Sequence, residues 1–398
     1  MQSRSSDRPM VICAVALALS VAAGSIGSCA PPAKTHSAPV PVARGTHPPA
    51  VKPAAPAGPA GKVLPAARGV YLGVYDPPAP FSAGSVDAFE TTARKKVSIV
   101  MWYQPWTTTN RWKFDAAACV ALMRRGKVPM ITWEPWDPGD NAKLVRDPAN
   151  QPAFRLSAIL DGRYDSYLRY WAREIRDLGG PVMLRPMHEM NGDWYPWAGT
   201  VNGNTPAEFI AAWRRIHDIF KAQGATNVTW VWSVNHSSYP ETARNAYSAY
   251  YPGDRYVDWT AVSGFNWGTS GDATSWHTFR YWYDRPLAYL HTLRKPICLA
   301  EFGSVEEGGD KAAWFRDTFS YVSKDPHVKA LIYYNAKDVS QTSTQDWRID
   351  TSARSLAAFR ASITSRYFVG GPPAALLTWT STLSAADRQR LASVPRIY

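Results

Sequence analysis

Along this chain, short runs of β-branched and aromatic residues alternate with longer stretches whose apolar positions recur at helical spacing. The short runs predict strands at 69–76, 97–104, 128–134, 182–189, 228–235, 259–266, 296–302 and 328–335. The helices between them carry start and stop signals. Thr205-Pro206-Ala207-Glu208 is a capping box with proline at the first helical position, and Phe209, Trp213, Ile216 and Phe220 follow on one face. One helix earlier, Tyr164, Leu168, Trp171, Ile175 and Leu178 form a matching stripe that Gly179-Gly180-Pro181 ends. Strands alternating with helices imply parallel pairing through right-handed crossovers. Eight such units predict an α/β fold, a (β/α)8 TIM barrel over 68–369. An open doubly wound sheet fits less well, since no glycine-rich phosphate turn follows the first strand.

In such a barrel, residues at the C-terminal ends of the strands share one rim. Asp76 ends the first predicted strand, Tyr103, Gln104 and Trp106 the second, and Trp133, Glu134 and Trp136 the third. His188-Glu189 ends the fourth, followed by Asn191, Trp194 and Trp197. Asn235-His236, Asn266-Trp267, Glu301 and Tyr334-Asn335 end the remaining four. Carboxylates, amides and aromatics thus gather at one rim, while strand starts are plain Val, Ile and Lys-Pro. Sugars offer hydroxyls to polar groups and flat C–H faces to aromatic rings, so this rim is built for carbohydrate.

Composition sharpens the picture at the ends. The chain has 398 residues, with 18 Trp, 20 Tyr and only 19% charged residues. Arg4 and Arg8 precede an apolar run from Met10 to Ala23, too short to span a membrane comfortably and suited to a signal peptide. It ends in Ile26-Gly27-Ser28-Cys29, which resembles a bacterial lipobox and makes Cys29 the lipidation candidate; a plain cut after Ala30 would leave Pro31 just past it. Residues 30–67 are rich in Pro and Ala without apolar periodicity and predict a disordered spacer. These ends predict an extracellular protein, held on the outer face of the cytoplasmic membrane through a lipid anchor. The net charge of +12 raises the question of nucleic acid. Residues 1–68 hold seven basic residues against Asp7 alone, a balance of +6, and the other basic residues are scattered along the barrel sequence. A tether drawn to anionic lipid or wall polymer fits, and a nucleic-acid protein does not. Cys119 and Cys298 fall in different elements and predict buried thiols, and no metal spacing exists. Residues 370–398 form an extension of unknown role, with a short helix expected from Ser384 to Ser393.

Glycosidic cleavage needs two carboxyl groups, one to protonate the leaving oxygen and one to attack or to activate water. Glu189 and Glu301 each close a buried strand and are the candidates, with Arg185 able to pair with Glu189 from two positions back. Arg185-Pro186-Met187-His188-Glu189-Met190-Asn191-Gly192, with Trp194 and Trp197, closely resembles the acid/base motif of glycoside hydrolase family 26. Ala300-Glu301-Phe302-Gly303 is similar to that family's nucleophile motif. The resemblance runs from about Tyr71 to Phe359. It implies a retaining barrel hydrolase with Glu189 as acid/base and Glu301 as nucleophile. It also implies that His188 contacts the sugar and that Trp194 and Trp197 line the cleft. β-1,4-Mannan is the first substrate it suggests, with mixed-linkage β-1,3-1,4-glucan and β-1,3-xylan as alternatives. In one place the sequence departs from the family: mannanases commonly carry a strand-6 tyrosine bonded to the nucleophile, where this chain has Phe265-Asn266-Trp267-Gly268.

Further substrate contacts are expected from Arg185, Asn191, Trp267, Trp133, Trp106, His236, Tyr334 and Asp76. Glu134 could touch substrate or pair with a neighbouring arginine. The chemistry requires neither metal nor cofactor, and a monomer is expected. Two readings of other classes remain: a surface glycan-binding lipoprotein without catalysis, and an enzyme of phosphorylated metabolites, which the absence of a phosphate turn weakens.

Overall fold

A computed structural model describes residues 61–106, 113–139, 148–271, 274–339, 343–385 and 389. The leader, the lipobox with Cys29 and the spacer up to residue 60 lie outside the described residues.

Eight strands form the barrel: β1 (Val70–Tyr75), β2 (Ile99–Pro105), β3 (Val128–Glu134), β4 (Val182–Pro186), β5 (Val228–Asn235), β6 (Trp259–Asn266), β7 (Ile297–Ser304) and β8 (Val328–Tyr334). Each pairs in parallel with the next, and β1 closes on β8 through Tyr71 to Tyr75. Nearly every strand residue is buried, since helices cover the outer face and side chains fill the inside. The helices are α1 (Ala83–Ala93), α2 (Ala116–Arg124), a short α3 (Leu156–Leu160), α4 (Asp165–Leu178), α5 (Pro206–Ala222), α6 (Phe279–Thr292), α7 (Lys311–Val322), α8 (Ala353–Ile363) and α9 (Ala374–Thr382). A hairpin of β9 (Lys337–Val339) and β10 (Thr344–Asp346) follows β8, and a two-residue β11 (Phe368–Val369) follows α8.

The helix signals operate as written. Thr205 accepts from the Glu208 amide at 3.2 Å, while Glu208 accepts from the Thr205 amide at 2.8 Å. On α4, Leu168, Trp171, Ile175 and Leu178 are buried, and Gly179 closes the helix in the left-handed region at φ 71°. A fully buried side chain of this kind contributes about 1.5–3 kcal/mol relative to exposure. The fifth crossover differs from expectation. Among the described residues it holds three 3-10 turns, Ala243–Asn245, Tyr247–Tyr250 and Asp254–Tyr256, in place of an α-helix.

Both ends of the described chain cross the rim at the strand starts. The Val63 amide donates to Thr229 Oγ1, the Trp259 indole donates to the Val63 carbonyl, and Lys62 pairs with Asp258 at 2.7 Å. These residues, which the sequence places in the spacer, lie against the barrel. At the other end, β11 pairs with β1, and Ser98 Oγ donates to the Gly371 carbonyl at 2.6 Å. Helix α9 then reaches Gly180, where Trp379 and Met123 fill the space a side chain would need. The sequence does not predict this helix; of the helix expected at 384–393, Ala385 and Gln389 are helical and most of the rest is outside the described residues. Helix α9 starts after Pro372-Pro373 and buries Leu376 and Trp379, three residues apart on one face.

Candidate active site

The site begins with a buried arginine. Arg185, on β4, enters the barrel and reaches four other strands. Its Nε donates to Thr132 Oγ1 at 2.9 Å, its Nη1 lies 3.3 Å from both Ser233 Oγ and Ser263 Oγ, and its Nη2 donates to Glu301 Oε1. Sequence analysis offered Arg185 as a partner for Glu189; the structure pairs it with Glu301 instead. Tyr103, on β2, donates its hydroxyl to the second Glu301 oxygen at 2.5 Å. Glu301 is thus held by a guanidinium on one oxygen and a phenol on the other. A one-residue slip aims it: Leu299 pairs with Val262 and Glu301 with the next residue, Ser263, so that Ala300 is the extra residue of a β-bulge.

Glu189 is presented differently. Strand β4 stops at Pro186, three residues earlier than predicted, and the chain turns through left-handed conformations at Met187 (φ 49°) and Glu189 (φ 53°). Residues with a Cβ enter that region at a cost of about 1–2 kcal/mol each, so surrounding bonds must fix the turn. The Met187 amide donates to the Trp133 carbonyl, the Glu189 amide to the Ser233 carbonyl at 2.9 Å, and the Trp197 indole to the His188 carbonyl at 2.7 Å. Asn191 locks the turn to β5, donating to the carbonyls of Asn235 and Ser237 and accepting from the Asn235 amide. The Glu189 side chain accepts from the Trp194 indole at 3.0 Å.

One donor or acceptor atom each of His188, Glu189 and Glu301 lies within 4.8 Å of the others. That matches the roughly 5–5.5 Å carboxyl separation of retaining hydrolysis and leaves no room for the water of an inverting pair. Burial, reinforced by the negative charge of Glu301, holds the Glu189 carboxyl well above the usual carboxylate range, so it carries a proton at neutral pH. Burial and the Arg185 charge push His188 well down, leaving a neutral imidazole. The same three side chains are the one group among the described residues with metal-ligand proximity. A divalent ion there would sit against the Arg185 guanidinium, which already neutralises Glu301, so the donors fit an acid–nucleophile pair better than a metal.

Glu134 is the third carboxyl of the site. It accepts from the Trp136 indole at 3.1 Å and lies 3.9 Å from His188 Nδ1. Burial, with the charge of Glu301 adding, pushes it up to about 8. Among the described residues no arginine bridges it, contrary to the pairing sequence analysis entertained.

Several expected sugar contacts are scaffold. Trp133 is fully buried outside the barrel wall, against Tyr167, Trp171 and Phe220, because strand alternation sends it away from its inward neighbour Glu134. Trp106 packs on it and on Tyr164 and Tyr167. His236 likewise points outward onto Trp282, and burial drives it down to about 4. Asn191 and Trp197 shape the Glu189 turn from within; Trp197 stacks on Tyr195 at 4.2 Å, and Tyr195 covers His188. Trp194 bonds Glu189 directly, and half-buried Trp267 stands edge-on to Phe265 and Trp347 on the β6–β8 side. Tyr334 joins Tyr75 and Tyr103 in a cluster beside Glu301 and bonds Asp338 at 3.2 Å. Asp76, 3.4 Å from Asn335, is raised to about 7 by burial. Sequence reasoning left out Ser263 and Asp338, and it placed Tyr103 at the rim without giving it a role. Register would have turned Tyr103 inward, since it pairs with inward-facing Thr132 one strand over.

Comparison with known proteins fits this geometry. Residues 143–282, which contain the whole Arg185–Gly192 segment, match the profile of Glycosyl hydrolase family 26. Endoglucanase H of Acetivibrio thermocellus is 35% identical over 306 residues, 76% of this chain and 31% of that protein. The chain carries a glycoside hydrolase family 26 segment. Mannan endo-1,4-β-mannosidase A and B of Caldalkalibacillus mannanilyticus is 30% identical over 169 residues, 41% of this chain and 30% of that protein. The chain therefore spans about a third of the length of these two relatives. The solved family 26 β-mannanase of Bacteroides ovatus shares the fold, with a TM-score of 0.56 at 19% identity over 76% of this chain and 90% of that one. On β6, Phe265 packs against Tyr334 and Trp347, and the phenol that bonds Glu301 comes from Tyr103 on β2.

Proposed function

We propose that this protein is a retaining endo-β-glycanase that hydrolyses a β-linked polysaccharide by double displacement. The observation that carries the reading is the approach of Glu189 and Glu301 within 4.8 Å, one protonated and one paired with a guanidinium. Glu301 attacks the anomeric carbon while Glu189 passes its proton to the departing oxygen. Once Glu301 is esterified its charge is gone, the Glu189 proton is easier to lose, and Glu189 takes a proton from the attacking water. Arg185 and Tyr103 hold the nucleophile and receive the ester's oxygens.

β-1,4-Mannan is the first substrate in this reading, supported by the mannan endo-1,4-β-mannosidases that align over 40–43% of the chain. A β-glucan is the second, favoured by the longer alignment with Endoglucanase H and by Phe265 in place of the mannanase tyrosine. Incubation with galactomannan, glucomannan, mixed-linkage glucan and β-1,3-xylan, followed by sizing of the products, decides among them. Early products of β configuration are expected, read from the anomeric proton. Retention on a polysaccharide gel with no reducing ends released from any of the four would overturn catalysis and leave a glycan-binding protein. The leader and lipobox further support an extracellular placement with Cys29 as the lipid anchor; labelling with a radioactive fatty acid, lost in Cys29→Ser, tests it.

A further inference from the structure

Charge on this molecule is sorted by pole, which the sequence order conceals. The turn before β2 reads Arg94-Lys95-Lys96, the turn before β3 holds Arg125 and Lys127, and the turn before β7 is Arg294-Lys295, with no acid in any of them. Arg68, Lys324 and Arg366 stand before β1, β8 and β11. These residues look scattered because each helix-to-strand turn lies far along the chain from the next, yet all such turns return to one end of a barrel. The acids near that end are engaged in pairs, Asp87 with Arg125, Glu90 with Lys96 and the buried Lys127, Asp258 with Lys62 and Asp325 with His291, which leaves Arg68, Arg94, Lys95, Arg294, Lys295, Lys324 and Arg366 outside these pairs. At the opposite end, Glu306, Glu307 and Asp310 follow β7, and Asp338, Asp346 and Asp350 follow β8.

Cations at helix C-termini complement the helix dipole, and that accounts for part of this pattern. It does not account for two further observations. Of the four large hydrophobic side chains that stand exposed among the described residues, Leu64 (70%) and Leu377 (54%) lie at this same basic end. Leu64 adjoins the Val63 contacts to β5 and β6, and Leu377 lies on α9, a helix with no charged residue. Residue 61, where the sixty preceding residues join, is also here.

We propose that the basic pole is a docking face for an anionic lipid bilayer. Its arginines and lysines meet the headgroups, Leu64 and Leu377 enter the interfacial zone, and the cleft with Glu189 and Glu301 faces away from the membrane. A polyanionic wall polymer would answer the same charges but offers the leucines nothing, which is why the bilayer is chosen. The proposal does not depend on catalysis.

The test uses the full chain carrying Cys29→Ser, with vesicles of phosphatidylcholine alone and of equimolar phosphatidylcholine and phosphatidylglycerol. Neutral vesicles report the leader; the increment on anionic vesicles reports charge. Arg94→Glu, Arg294→Glu and Arg366→Glu combined, none of which breaks an ion pair among the described residues, should reduce that increment roughly 100-fold or more, at the attraction usual for three surface cations. Arg155→Glu with Arg163→Glu, in the loops on the cleft side, should leave it unchanged. Leu64→Ser with Leu377→Ser should weaken binding at high salt, where the charge contribution is screened, and serves if the charge variant fails to fold. Binding by the charge variant equal to that of the unaltered chain, or an equal loss from the cleft-side pair, overturns the proposal. So does binding to poly(glycerol phosphate) without binding to anionic vesicles.

Discussion

Glu189 and Glu301 are the same side chain at nearly the same depth, 7% and 5% exposed, yet the barrel surrounds them with opposite chemistry. Around Glu301 stand a guanidinium, a phenol and a serine hydroxyl, all donors, and its backbone runs through a regular strand broken only by the bulge. Glu189 is buried with only neutral donors, the Trp194 indole N–H and the Ser263 hydroxyl, on a left-handed turn held from outside. Charged donors favour a carboxylate, and apolar burial favours a carboxylic acid. Under the proposed mechanism, this difference in company is what separates a nucleophile from an acid.

The comparison is broken most completely by removing each carboxyl in turn. Glu301→Ala should abolish turnover whatever the leaving group, because no ester can form. Glu189→Ala should cost at least roughly 10²-fold on polysaccharide, the low end for general acid catalysis, and much less for cleavage of an activated aryl glycoside. Equal and mild losses in both variants, measured on both substrates, would mean that the two groups do not hold different roles.

Next in size is Arg185→Met. It leaves Glu301 buried without its cation, and breaking a buried pair in this way costs about 3–5 kcal/mol. The same guanidinium ties β3, β5 and β6 to β7, so denaturant unfolding should move markedly to lower midpoint as activity falls. A variant of full stability would show that the arginine serves chemistry alone.

Tyr103→Phe should have a smaller and cleaner effect. It removes one charged hydrogen bond to the nucleophile, about 1.5–3 kcal/mol, or roughly tenfold to a hundredfold in kcat if the bond strengthens along the reaction. Stability should change little. An unaltered kcat would mean that the phenol is only a neighbour of Glu301.

How far the sequence carried this site can be argued from particular residues. Seven of the eight strands ended within about two residues of their predicted limits, since buried parallel strands are written as continuous β-branched runs between helical stripes. The exception, β4, ends at Pro186, and no glycine or asparagine warns of the left-handed turn that begins at Met187. Rim position was legible, but orientation at the rim was not used. Strand alternation puts Trp133 outside once Glu134 is inside, and His236 outside once Asn235 is inside. Asn191 belongs to a motif whose chemistry suggested sugar, while its amide is consumed by β5. The basic pole escaped because charge was read along the chain, and a barrel gathers residues by their place in a repeating unit.

The finest distinction between the two glutamates is the indole donor, which bonds Glu189 and not Glu301. The Trp194 indole bonds Glu189 Oε2 and favours the ionised form, against the burial that raises it. Trp194→Phe keeps an aromatic ring and removes that donor, so the Glu189 carboxyl should become still harder to ionise. Activity requires this acid protonated, and it is lost as pH rises through the Glu189 pKa. The alkaline limb of kcat/KM should therefore move to higher pH in Trp194→Phe, while the acidic limb stays in place. A limb that stays fixed would mean the indole does not bond Glu189 in the working enzyme. Movement to lower pH would mean that Trp194 shields the acid from water more than it donates to it, and the apolar wall would then be the whole of what distinguishes Glu189 from Glu301.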